Sequence, residues 1–223
     1  MDLNDKNYKR VLIGKRIARE LQDGDFVNLG IGLPTEVANH IPQGIQVVFQ
    51  SENGILGVGP SPENGMEDPN LTNAGGGMIT AAPGACYLDS CMSFAIVRGG
   101  HLAMTVLGAL QVDQKGNLAN WWIPGKMVPG MGGAMDLVSG AKKVVVAMEH
   151  CDKEGNSKIL EACTLPLTAV GKVNLIVTDL AVIKVEKEKL YLLEIAKGTT
   201  IEQVIKATSA KLVIEENIPF FSI

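Results

Sequence analysis

The sequence predicts an α/β fold: one open, mainly parallel sheet flanked by helices, with an antiparallel meander and hairpin portion. Three observations predict it. Short β-branched runs, Ile45 to Gln50 and Lys143 to Met148 among them, alternate with stretches of helical period. Phe26-Val27-Asn28-Leu29 opens into Gly30-Ile31-Gly32-Leu33-Pro34 and then a helix start, which is the strand, loop and helix succession of a βαβ unit. With 46% hydrophobic residues, 25 glycines and only 4% aromatics among 223 residues, the chain suits a sizeable core with many tight loops better than a β-sandwich.

Taken in order, Asp5 to Gln22 carries Tyr8, Val11, Leu12, Ala18 and Leu21 at helical spacing and is stopped by Asp23-Gly24-Asp25. Thr35 to His40 reads as a helix begun by Pro34, and Gln46 to Gln50 as the next strand. Handedness then places the ends of both strands of residues 25–52 on one edge of a parallel sheet. Residues 61–68 form a polar loop, Asn73 to Gly77 a turn, and Asp89 to Val97 a helix with Asp89 or Ser90 as cap. Leu102 to Val112 and Leu118 to Trp122 flank the turn Asp113 to Asn117 as a hairpin. The glycine cluster from Gly125 to Val138 ends in helical character, so Gly132 and Gly133 fall at a helix start. Leu175 to Thr178, Ala181 to Val185 and Leu190 to Ile195 form an antiparallel meander. A helix over Thr200 to Ala207 and a strand at Leu212 to Ile214 follow. With no repeat or linker, one domain over 1–223 is expected.

A net charge of −4 with interspersed signs gives no footprint for nucleic acid or an anionic membrane. The chain has no apolar run of about 18 residues and no basic leader followed by an apolar core at Met1 to Lys6, so a cytoplasmic location is expected. Cys86, Cys91, Cys151 and Cys163 lack Cys-x-x-Cys pairs and are expected to be buried thiols. His40, His101 and His150 are scattered, so no metal site is expected.

The candidate for chemistry is Glu52, in Ser51-Glu52-Asn53-Gly54 at the end of a core strand. In open parallel sheets ligands bind at carboxyl strand ends, and glycines there let a substrate approach backbone N–H groups. The bland alternative is a hairpin turn with Glu52 in water. Gly30-x-Gly32 lacks the third glycine of a dinucleotide fingerprint, Thr35 standing in its place. For Gly132 and Gly133 the alternatives are a functional loop and a close packing contact that only glycine permits. A carboxylate between two sets of free N–H groups suits acyl transfer, where it attacks an activated acyl carbon and each preorganised donor stabilises the oxyanion by ~3 kcal/mol.

Four segments together resemble the B (beta) subunit of family I CoA-transferases, nearest the acetate/butyrate–acetoacetate branch. They are Ser51 to Gly57, Asn28 to Pro34, Gly116 to Asn120 and Gly130 to Val138. The resemblance covers nearly the whole chain. It implies that Glu52 attacks an acyl-CoA to give a glutamyl anhydride and then a glutamyl-CoA thioester, with coenzyme A as substrate and no separate cofactor. It also implies that Gly133, Gly132, Ile31 and Gly30 form the oxyanion and CoA-binding backbone, with Asn28 and Asn53 orienting the reactants. A partner A subunit, absent from these 223 residues, is expected in an α2β2 complex with the active site at the junction of the two chains. Some relatives carry lysine where Gly76 stands. A non-catalytic partner role, succinyl-CoA:3-oxoacid specificity and a sugar-phosphate isomerase on a related scaffold are the alternatives. The last would draw on Lys126, Lys142 and Lys143 for phosphate.

Overall fold

Strands buried on both faces pair in parallel at the centre of the sheet, and antiparallel strands flank them. A computed structural model shows how; it describes residues 5–125, 128 and 130–223. The elements are α1 (Lys6–Ala18), β1 (Phe26–Leu29), a 3-10 helix (Leu33–His40), β2 (Val48–Ser51), β3 (Ile55–Val58), β4 (Ala81–Tyr87), α2 (Ser90–Arg98), β5 (Met104–Leu107), β6 (Gln111–Asp113), β7 (Leu118–Ala119), α3 (Ala134–Gly140), β8 (Val144–Ala147), β9 (Ile159–Leu160), β10 (Leu175–Val177), β11 (Ala181–Glu186), β12 (Lys189–Ala196), α4 (Ile201–Ala207), β13 (Leu212–Ile214) and β14 (Phe220–Phe221).

The main sheet runs β13-β12-β11-β10-β8-β5-β1-β2-β3-β4, with β14 also on β12. Strands β10, β8, β5, β1 and β2 are parallel neighbours, the centre that the Val-rich runs imply. On one side β10, β11 and β12 form the expected antiparallel meander. On the other, β2, β3 and β4 are antiparallel. Alternation along the strands splits the core in two. Val27, Met104, Val145 and Val177 pack with Leu12, Ile13 and Ile17 of α1. Val144, Val146 and Ile176 pack with Val97 of α2, Leu137 of α3 and Val204 of α4. A smaller sheet, β7-β6-β9, lies outside this path.

Several boundaries differ from expectation for local reasons. α1 ends at Ala18 and tightens into i→i−3 turns, Glu20 N–H donating to Ile17 and Leu21 N–H to Ala18. The segment after Pro34 is 3-10 rather than α, and lies so close to α1 that a Cβ on Gly14 would stand 2.6 Å from Glu36 Cγ. β4 was not expected, because Pro83 and Gly84 interrupt it; as the sheet edge it needs no donor at Pro83. The thiols also depart from expectation: Cys86 and Cys91 are exposed, while Cys151 and Cys163 are half-buried.

Candidate active site

Glu52 follows β2 directly, in a turn that hands the chain from the last parallel strand to antiparallel β3. Gly54 permits the turn: its φ is +126°, its N–H donates to Ser51 carbonyl at 3.1 Å, and a Cβ would collide with the carbonyl oxygen of Leu88. Leu88 N–H in turn donates to the Gly54 carbonyl at 2.8 Å. The bland reading of Ser-Glu-Asn-Gly holds for the backbone and fails for the side chain. The segment is a hairpin turn, and its glutamate faces a cavity instead of open water.

That cavity holds about 700 Å³ and gathers the glycine-rich segments from across the chain. Its walls are Gly30-Ile31-Gly32, the loop around Asn73 to Gly77, Gly108 to Leu110, Asn120-Trp121 and Met131-Gly132-Gly133, with Glu52 among them. Loop 73–77 is tied down beside the glutamate. Ala74 N–H donates to Ser51 Oγ at 3.0 Å, and Asn53 Nδ2 donates to the Thr72 carbonyl at 2.7 Å. No lysine or arginine lines the cavity among the described residues.

Asn28, fully buried on β1, donates from Nδ2 to Glu52 Oε2 at 3.2 Å, and its own Oδ1 accepts from Thr105 at 3.4 Å. Gly133 stands on the other side. Its φ of −83° and ψ of 6° are open to any residue, so conformation does not require glycine there. Space does: a Cβ would meet Glu52 Cγ at 3.0 Å and Phe94 Cε1 at 3.2 Å. The close packing contact that only glycine permits is thus a contact with the glutamate itself.

The remaining expected residues divide. Ile31, Gly132 and Gly133 line the cavity, and their N–H groups have no hydrogen-bond partner among the described residues. Gly30 also lines it, but its N–H donates to the Val106 carbonyl at 2.8 Å, so it supplies surface and no donor. Asn53 is not in the wall; its Nδ2 donates to the Thr72 carbonyl and anchors the loop. Gly76 has a φ of +76° and open space around it. Lys126 lies outside the described residues. Lys143 pairs with Glu20, and Lys142 is not in the cavity wall. Gln50, Phe94 and Trp121 are parts of the site or its surroundings that motif and spacing did not single out.

A carboxylate in the wall of this cavity, beside backbone amides that have no partner and with no cation among the described residues, has the chemistry to attack an acyl carbon. It lacks the charge to hold a phosphate. Residues 11–207 match the family model described as Coenzyme A transferase, so the chain belongs to the coenzyme A transferase family. It is 54% identical over 206 residues to the beta chain of the acetate CoA-transferase of Escherichia coli K12, covering 92% of this chain and 94% of that one. It is 52% identical to the B chain of a probable succinyl-CoA:3-ketoacid coenzyme A transferase of Bacillus subtilis, over 92% of this chain and 94% of the relative. The fold matches a crystal structure of an acyl-CoA transferase from E. coli O157:H7 in a thioester complex with CoA. There the TM-score is 0.73 at 20% identity, over 96% of this chain and 43% of that longer one.

Proposed function

We propose that the chain is the beta subunit of a CoA-transferase that moves CoA between short-chain acyl-CoA and carboxylic acids, with Glu52 as nucleophile. One observation carries this: the Glu52 carboxylate faces the cavity, held by Asn28 at 3.2 Å and lying against Gly133. A Glu52 oxygen attacks the thioester carbonyl, the C–S bond breaks, and CoA thiolate leaves an acyl-glutamyl anhydride. The thiolate then attacks the glutamyl carbonyl, releasing the first acid and leaving a glutamyl-CoA thioester. The acceptor acid reverses both steps and regenerates the carboxylate, with no net proton change. In this reading the N–H groups of Gly133, Gly132 and Ile31, which line the cavity and have no partner among the described residues, receive the oxyanion of these additions.

Water would hydrolyse the anhydride, so the cavity has to be closed during turnover. This chain leaves it open to one side, and its relatives are named as the beta or B member of a subunit pair. We therefore infer an A-subunit partner, in an α2β2 complex, that completes the site. The test uses the reconstituted complex. With acyl-CoA present, hydroxylamine should modify Glu52, and Glu52→Gln should fold and assemble normally while losing at least about 10⁴-fold in turnover. Retained turnover in that variant, or full turnover by this chain alone, would refute the respective claim. Turnover of acetyl-, butyryl-, acetoacetyl- and succinyl-CoA assigns the acids, which differ by only ~1–3 kcal/mol per group in such a pocket.

A further inference from the structure

Behind Glu52 lies a closed ring of hydrogen bonds that neither the oxyanion donors nor the cavity wall accounts for. Gln50 on β2, Asn28 on β1 and Thr105 on β5 stand side by side in register across three parallel strands. All three are buried, as is Ser93 on α2, with exposures of 2%, 0%, 0% and 0%. Asn28 Nδ2 donates to Gln50 Oε1 at 3.0 Å and lies 3.2 Å from both the Gln50 carbonyl oxygen and Glu52 Oε2. Gln50 Nε2 donates to Ser93 Oγ at 3.0 Å, and Ser93 Oγ donates to the Glu52 carbonyl oxygen at 2.9 Å. The ring thus grips the glutamate twice, once at the carboxylate and once at its own backbone.

Resting on the assignment of Glu52 as nucleophile, we propose that Gln50 and Ser93 are positioning residues that hold it in its attacking geometry. Gln50 fixes which way the Asn28 amide points by occupying its donor side, and through Ser93 it also fixes the peptide on the C-terminal side of Glu52. A polar row in the middle of a sheet, with every member partnered, is rigid where one apolar substitute would leave several groups unpaired. The glutamyl carbon is attacked repeatedly in one cycle, and a displacement of about 1 Å in a reacting group can cost about 100-fold in rate.

The experiment compares Gln50→Met, Ser93→Ala and the double variant in the complex with the partner chain. Each single variant is expected to lower kcat about 10- to 100-fold and to change KM for acyl-CoA by less than about threefold. The double variant should fall near the worse single one, since both act through one chain of bonds. Gln50→Met leaves the Ser93 to Glu52 bond in place and carries the test alone if Ser93→Ala does not assemble. Unchanged kcat, or a raised KM with unchanged kcat, overturns the inference. Hydroxylamine labelling separates the two levels: if wild type is not modified at Glu52, the nucleophile assignment itself fails. If wild type and variants are labelled there at equal rates, only the positioning role fails.

Discussion

Replacing Gly133 with alanine tests whether that glycine is there for the glutamate. The backbone, at φ −83° and ψ 6°, accepts alanine without strain, and the substitution even removes some freedom from the unfolded chain, a gain of about 0.4–1 kcal/mol. The added methyl would lie 3.0 Å from Glu52 Cγ and 3.2 and 3.3 Å from the Phe94 ring, against about 3.5–4.0 Å for relaxed carbon contacts. Phe94 is half-buried, with Arg98 stacked on it at 5.5 Å and joined to Asp136 of α3 at 2.7 Å. The closest clash is with Glu52, and relieving it by a shift of about 0.5–1 Å moves the carboxylate relative to Asn28 and the cavity. Overpacking costs about 1–3 kcal/mol, which the unfolded-state gain partly offsets, so the variant should melt within a few degrees of wild type. Its turnover in the reconstituted complex should fall about 100-fold. Gly132→Ala should instead lose stability, because its φ of +55° strains alanine by about 1–2 kcal/mol while a Cβ there touches nothing within 4 Å. Normal turnover in Gly133→Ala would refute the steric argument.

Three further outcomes follow from groups outside the cavity. Burial holds His150 at a pKa of about 4, below the ordinary 6.5, where it bridges Thr178 and Thr208 at 2.9 Å each. The unfolded chain then binds more protons between those values, so this stability is full above pH 6.5, falls as pH drops to 4, and amounts to about 3 kcal/mol. Urea melts at pH 7 and pH 4.5 should show the loss in wild type and less of it in His150→Asn. The two-residue turn between β11 and β12 places Lys187 and Glu188 at φ +50° and +57°. Lys187→Asn with Glu188→Gly should gain about 1 kcal/mol, read as a rise of about 2–4 °C in melting temperature. Burial and then Asp113 push the Cys163 thiol up to about 12, and Cys151 is also raised. In a thiol titration of the isolated native chain at pH 8, the exposed Cys86 and Cys91 should react fast and the other two slowly.

The parallel centre was legible in part: Val144 to Ala147 is buried throughout and reads as an unbroken apolar run, whereas Leu175 to Val177 was expected only in the antiparallel meander and Met104 to Leu107 in a hairpin arm, yet both pair in parallel with β8. Of the two cap candidates for α2 it is Asp89 that caps, and Thr200, at the start of the expected last helix, closes a full capping box with Gln203. The edge strand β4 was hidden because its partner is only β3, and an edge tolerates the proline and glycine that signal a turn. Glu52, Gly132 and Gly133 could be named because glycine clusters and strand ends are local signals, whereas Ile31 came with the family resemblance. The commitment of the Gly30 N–H to Val106 and of the Asn53 amide to Thr72 is set by strands and loops far along the chain, which spacing does not report. Gln50 and Ser93 did leave a trace: Gln50 closes the run Val47-Val48-Phe49, Ser93 stands between Met92 and Phe94, and both are buried.

The position of Glu52 in a hairpin, and not at a free strand end, bears on the chemistry. A residue at the tip of a parallel strand is usually followed by a loop, whose mobility it shares. Here the chain turns at once into β3, so the glutamate is flanked by two strands of the same sheet. Its turn is fastened again by Leu88 to the start of the α2 segment, and α2 returns Ser93 to the Glu52 carbonyl. α2 is in turn joined to α3 through Arg98 and Asp136, and α3 begins beside Gly133. Under the proposed function, the nucleophile Glu52, the Asn28 amide on it and the Gly133 backbone beside it are therefore carried by elements that brace one another. A carboxylate is a weak nucleophile, and a site that cannot strengthen it with a base or a metal has geometry and excluded water as its means. The bracing supplies the first within this chain, and closure over the open side of the cavity is what remains for the partner to supply.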